Sequence, residues 1–153
     1  MRKVLGLLVL TALIFNASCS KEDQGEIDKQ LIEEYIAMNN IPAVEGPDGL
    51  FFVIDKMGSG PKPTINSTVK VHYKGTLLDG TKFDSSYDRG EPAEFKLFQV
   101  IQGWQIGIPL FRDGGKGKLI IPSHLGYADS PPRGSVIPSN AVLVFDIELL
   151  DVF

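Results

Sequence analysis

The sequence predicts an α+β domain in which several antiparallel strands curl around one short central helix, with a further helix ahead of them. Three observations carry this. Thr68 to Leu78 and Ala141 to Leu149 alternate apolar and polar residues with the period of a half-buried strand. The 16 Gly and 10 Pro residues exceed average usage (about 12% for the pair), so turns are frequent and a helical bundle is disfavoured. Helical spacing is confined to residues 27–38 and to the neighbourhood of Trp104.

Taken in order, the chain begins with Arg2 and Lys3, an apolar run from Val4 to Phe15, and Asn16-Ala17-Ser18-Cys19. A basic start, a short apolar stretch and small residues before a cleavage point make residues 1–18 a secretory signal. The ending resembles a bacterial lipoprotein signal, in which Cys19 becomes the lipidated N-terminus, although Asn16 stands where an aliphatic residue is usual. Residues 19–26 read as a lipidated, polar tether, and Lys21-Glu22-Asp23 resembles a surface-export signal of some Gram-negative lipoproteins. Residues 27–46 form an N-terminal helical segment: Ile27, Leu31, Ile32, Tyr35 and Ile36 recur at helical spacing until Asn39-Asn40-Ile41-Pro42 stops them.

The remaining residues, 47–153, read as the main domain. A turn at Pro47-Asp48-Gly49 leads into a strand from Leu50 to Ile54, and Gly58-Ser59-Gly60-Pro61 turns the chain again. In the next strand Val69, Val71, Tyr73 and Leu77 share one face, while Lys70, His72, Lys74 and Thr76 share the other. Asp79-Gly80 makes a tight turn, Lys118 to Ile121 a short strand stopped by Pro122. The last strand buries Ala141, Leu143, Phe145, Ile147 and Leu149 on one face. Pro109, just past Trp104, ends or kinks the central helix.

Charge and composition exclude several function classes. The formal net charge is −4 and falls to −6 without residues 1–18, so neither nucleic acid nor an anionic lipid surface is attracted in general. One cysteine and two histidines supply neither a disulfide nor a cysteine- or histidine-dominated metal centre. Gly114-Gly115-Lys116-Gly117 lacks the Lys-Ser/Thr of a phosphate loop and reads as a surface turn. His72 reads as outward-facing and His124 as a loop residue; neither belongs to a nucleophilic triad.

A series of aromatic residues in definite contexts remains. Val71-His72-Tyr73-Lys74-Gly75 leads to Asp79-Gly80-Thr81-Lys82-Phe83-Asp84-Ser85-Ser86, then Arg89-Gly90-Glu91-Pro92, Phe95 and Val100-Ile101-Gln102-Gly103-Trp104. Ile121-Pro122, Gly126-Tyr127, Val136-Ile137-Pro138 and Leu143-Val144-Phe145-Asp146-Ile147-Glu148-Leu149 complete it. Singly, these residues read as core phenylalanines, a packed helix tryptophan, a loop tyrosine and a turn aspartate. Together, from Gly49 to Phe153, they closely resemble the FKBP-type peptidyl-prolyl cis-trans isomerases, the macrolide-binding immunophilins.

The resemblance implies a sheet of five to six antiparallel strands curled on a short helix, with an apolar pocket between them. It implies that Tyr73, Asp84 and Tyr127 are catalytic. Phe83, Phe95, Val100, Ile101, Trp104, Val136, Ile137 and Phe145 would bind substrate, with Trp104 as the pocket floor. The Tyr127 hydroxyl and the Ile101 N–H would hold substrate carbonyls, and Asp84 would hydrogen-bond with Tyr73 and pair with Arg89. The implied activity is rotation of X–Pro bonds in exported proteins, without cofactor or metal, blocked by macrolides such as FK506 or rapamycin. The implied setting is the bacterial envelope, reached through a lipid anchor on the outer membrane. The competing reading is a non-catalytic binding or chaperone module on the same fold. Three departures mark the chain: Ala93 where relatives carry an aromatic residue, Gly126-Tyr127-Ala128 in place of Ala-Tyr-Gly, and a Pro- and Gly-rich loop from Asp129 to Ser135 whose contact with substrate is left open.

Overall fold

The computed structural model describes residues 21–153; the expected signal segment, residues 1–18, and the expected lipidation site Cys19 lie outside them. Helix α1 spans Lys21–Met38 and therefore starts before Ile27, inside the stretch expected to be a tether. Lys, Glu and Gln are good helix formers, and acidic residues in a first turn complement the helix dipole, so a polar sequence here extends the helix. None of the described helices is long and apolar enough to cross a membrane.

The strands are β1 (Val44–Glu45), β2 (Phe51–Lys56), β3 (Thr68–Leu77), β4 (Lys82–Ser85), β5 (Ala93–Lys96), β6 (Lys116–Ile121) and β7 (Leu143–Val152), with the short helices α2 (Ser86–Arg89) and α3 (Gln102–Gly107). They form one antiparallel sheet in the order β1-β2-β6-β7-β3-β4, with β5 also on β3. The count among the described residues is seven rather than five to six, the two-residue β1 being the smallest. The long pair β3 and β7 sets the register, with Tyr73 opposite Ile147 and Gly75 opposite Phe145.

The inner face carries the alternation read from the sequence. Val69, Val71 and Tyr73 of β3, Leu119 and Ile121 of β6, and Leu143, Phe145, Ile147 and Leu149 of β7 pack against Trp104 and Ile108. Helix α3 stops at Gly107 and continues as a 3-10 turn over Ile108–Leu110, which contains Pro109. Close packing of this helix depends on small residues: a Cβ on Gly103 would lie 2.4 Å from the Ile121 side chain, and one on Gly107 would lie 2.6 Å from Leu119.

The outer face is not uniformly polar. Ile32 of α1 packs with Phe51, Ile120, Val142 and Val144, with Tyr35 and Ile36 at the margin. Val144 and Ile120 are consequently buried although they point away from the main core. Elsewhere on that face Asp146 pairs with both Lys74 and Lys118 across neighbouring strands.

Candidate functional site

Between α3 and the inner face of the sheet lies an open cavity of about 480 Å³, a size suited to a small ligand or a short peptide segment. Trp104, 3% exposed, forms its base. Three aromatic rings meet the indole nearly edge-on: Tyr73 at 5.2 Å and 88°, Phe145 at 5.3 Å and 80°, and Phe95 at 5.5 Å and 89° between centroids. Phe83 meets Phe145 at 5.4 Å and 83°. Edge-to-face contacts are the favoured geometry for aromatic quadrupoles, so the walls are mutually fixed before any ligand arrives. The indole Nε1 is buried without a hydrogen-bond partner among the described residues, an unusual state for a polar group in a core.

The polar side of the cavity is a trio. The Tyr73 hydroxyl donates to Asp84 Oδ2 and accepts from Arg89 Nη2 at 2.9 Å, while Arg89 Nη1 donates to Asp84 Oδ1 at 2.6 Å. The Ser85 N–H donates to the same Oδ1 at 2.8 Å. Sequence places these groups through two turns. Strand β4 brings Asp84 opposite Gly75, and the single turn of α2 that follows sets Arg89 5.6 Å from the Tyr73 ring before Gly90 (φ 76°) ends the helix. Beneath them the buried Ser86 hydroxyl accepts the Tyr73 N–H at 2.8 Å and meets His72 Nδ1 at 2.9 Å. His72 stacks on Tyr87 outside the cavity, in keeping with its outward reading.

Burial and hydrogen bonding shift the titrations here. Burial, followed by the bond to Asp84, pushes the Tyr73 hydroxyl up to about 12. Burial is also the largest influence on Asp84 and raises it, but the donors Tyr73 and Arg89 together outweigh it and leave the carboxyl below 3.8. The Asp84 bond, then the Tyr73 bond, raises the Arg89 guanidinium further. Burial, then the Asp84 charge, raises Tyr127.

Of the sequence-predicted residues, Tyr73, Phe83, Asp84, Phe95, Val100, Ile101, Trp104, Tyr127, Ile137 and Phe145 all line the cavity. Val136 does not: it is 59% exposed, while its neighbour Ile137 is buried in the cavity wall. The expectation that both line the pocket is corrected to Ile137 alone. Gln99, Pro132 and Ser135 also line it and were not named from sequence. The Pro- and Gly-rich loop was the available signal for the last two; nothing in the sequence pointed to Gln99. The Ile101 carbonyl accepts from the N–H groups of Trp104 and Gln105, at 3.0 and 3.2 Å, while its own N–H has no acceptor among the described residues. Gln105 Nε2 donates to the Val100 carbonyl at 2.8 Å and steadies that segment.

Against this geometry the known proteins can be compared. The sequence profile of a family described as FKBP-type peptidyl-prolyl cis-trans isomerase matches residues 60–150. The chain belongs to this family. An FKBP-type peptidyl-prolyl cis-trans isomerase FkpA from Aeromonas hydrophila is 50% identical over 138 residues, 87% of this chain and 50% of the relative. The chain thus spans about half the length of the curated relatives it matches. The crystal structure of FkpA from Escherichia coli superposes with a TM-score of 0.74 at 41% identity, covering 86% of this chain and 62% of that one. A peptidyl-prolyl cis-trans isomerase structure from Pseudomonas syringae superposes equally well, TM-score 0.74 at 32% identity, covering 87% of this chain and 96% of that one. The FKBP fold expected from the sequence is the fold observed.

Proposed function

We propose that this FKBP domain is a peptidyl-prolyl cis-trans isomerase acting on proline-containing segments of exported proteins. The observation that carries the reading is the aromatic cavity floored by Trp104 with the Tyr73–Asp84–Arg89 trio on one side. Rotation about an X–Pro bond is slow, about 10–100 s at 25 °C, because amide resonance must be lost. No bond is made or broken and no proton need move. The twisted amide has a smaller dipole than the planar one, so an apolar site favours it over the ground state. Trp104, Phe95 and Phe145 receive the proline ring. The Tyr127 hydroxyl and the free Ile101 N–H hold the flanking carbonyls, fixing one side of the bond while the other turns. Tyr73 and Asp84, locked by Arg89, keep that wall from relaxing. A thousandfold acceleration needs only about 4 kcal/mol.

The test is a coupled isomerisation assay on an X–Pro peptide with the full chain, with and without FK506 or rapamycin. Acceleration that the macrolide abolishes is expected. A folded protein that binds the macrolide but leaves the peptide rate unchanged would identify a binding module instead. Tyr127→Phe keeps the ring and removes one hydrogen bond worth about 0.5–1.5 kcal/mol, so activity falls by less than about tenfold.

The envelope setting is part of the same proposal and rests on the sequence of residues 1–19. Cys19 carries the lipid, and the domain works tethered to the outer membrane. Cys19→Ser should release soluble protein and abolish acyl labelling; wild-type protein without label that fractionates as soluble would overturn the anchor.

A further inference from the structure

Helix α1 does more than cover the outer face of the sheet. Asp28 on this helix is fully buried. Its Oδ2 accepts the Ser123 N–H at 2.7 Å, and its Oδ1 accepts Gln24 Nε2 at 2.8 Å. Ser123 opens the 3-10 turn Ser123–Leu125, which follows β6 and leads directly to Tyr127. The carbonyl of the same residue accepts the N–H groups on either side of that tyrosine, Gly126 at 3.0 Å and Ala128 at 2.9 Å. One residue, Ser123, therefore holds both flanks of Tyr127 with its carbonyl and is itself held by a helix far away in sequence.

Seating the helix does not by itself require a carboxylate here. Ile32, Tyr35 and Ile36 already seat the helix on the sheet, and a buried carboxylate must overcome its desolvation before it contributes anything. What the carboxylate adds is direction: it fixes one N–H at one point. We infer that Asp28 is a positioning residue for the isomerase site, setting the Tyr127 hydroxyl through the Ser123 turn. The inference rests on the proposed isomerase reading, with Tyr127 as a carbonyl-holding group. It makes α1 a working part of the catalytic domain.

The test is a double-mutant cycle on the full chain, read as kcat/KM for an X–Pro peptide. Asp28→Ala should lower kcat/KM about threefold in the wild-type background but by less than about 1.5-fold in Tyr127→Phe, where the positioned hydroxyl is already gone. Asp28→Asn should restore the wild-type rate, because its carbonyl oxygen can accept from Ser123 while its amide donates to Gln24 Oε1 once that side-chain amide turns over. Ile32→Ala, which loosens the helix without touching Ser123, should leave kcat/KM within about twofold at temperatures where it is folded. Equal losses from Asp28→Ala in both backgrounds, or no loss, would overturn the inference. Native-state hydrogen exchange on the unmutated protein decides the matter if Asp28→Ala does not fold. The Gly126 and Ala128 amides should open together with the Ser123 amide and the α1 amides around Ile32, and opening of the turn independently of α1 would count against the coupling. A wild type with no isomerase activity would defeat the proposed function separately, since exchange needs no turnover.

Discussion

Ala128 offers a direct probe of the loop that carries Tyr127. Its φ is 49°, in the left-handed region. Among the described residues the other three non-glycine residues with positive φ are Asn40, Asp48 and Asn140, types whose side chains tolerate that region; alanine has no such compensation. It is held there by its N–H on the Ser123 carbonyl at 2.9 Å and by the Asn140 N–H on its own carbonyl at 2.7 Å. The order Gly126-Tyr127-Ala128 thus leaves the left-handed position to an alanine. Ala128→Gly removes about 1–2 kcal/mol of left-handed strain. It also loosens the unfolded chain, at a cost of about 0.4–1 kcal/mol. The expected net gain is about 0.5–1 kcal/mol, or about 1.5–3.5 °C in Tm for a chain of this size. Urea unfolding with an unchanged slope, alongside thermal melting, measures it. Destabilisation by about 0.5 kcal/mol or more would show that Ala128 is not held in this conformation and would refute the strain argument.

Other positions give sharp expectations. A Cβ on Gly75 would lie 2.5 Å from the Phe83 ring and 3.0 Å from the Phe145 ring, so Gly75→Ala should displace the cavity wall. About 1–3 kcal/mol of stability should go with it, and kcat/KM should fall in an X–Pro assay run well below the melting temperature. Trp104→Ala should lose about 3–5 kcal/mol, seen by urea unfolding, because the floor of the aromatic cluster becomes a void. Acid should weaken the fold through Asp84 and Asp146, both held below the usual 3.8 despite burial, the first by the Tyr73 hydroxyl and Arg89 and the second by Lys118 and Lys74. Their contribution is complete above about pH 4 and is lost as the pH falls through their folded values. Asp84→Asn should therefore show a shallower loss of Tm between about pH 4 and 2 than wild type, and parallel curves would count against the trio.

Much of this was legible because strands advertise their faces. The alternation in β3 and β7 named the inner-face residues directly, and Tyr73 and Phe145 followed from their place in it. Trp104, Phe83 and Asp84 were legible as site residues only through their combined motif, since each alone reads as core or turn. Val144 alternates onto the face opposite Leu143 and Phe145 and is buried nonetheless, because α1 covers that part of the outer face. Periodicity within one strand cannot report a helix that arrives from elsewhere. The first turns of α1 were missed for a different reason: a polar run with no apolar stripe looks like a tether, and only packing further along shows that it is helical. Gln99 reaches the cavity from the end of the 3-10 turn Leu97–Gln99, Pro132 and Ser135 reach it from a loop, and Val136 of that loop stays exposed. Loops have no period from which a side-chain direction could be read.

The central claim is that rotation is driven by an apolar, pre-arranged site and not by proton transfer. The pH dependence of kcat/KM tests it most directly. Asp84 titrates below 3.8 and Tyr73 near 12, while Tyr127 and Arg89 are both raised, so each of these four groups keeps one protonation state around neutrality. The account predicts a flat profile between about pH 5.5 and 8.5 for an X–Pro peptide with no titrating group of its own. A bell-shaped profile that His72→Gln or His124→Gln abolishes would contradict it and require acid–base catalysis in its place.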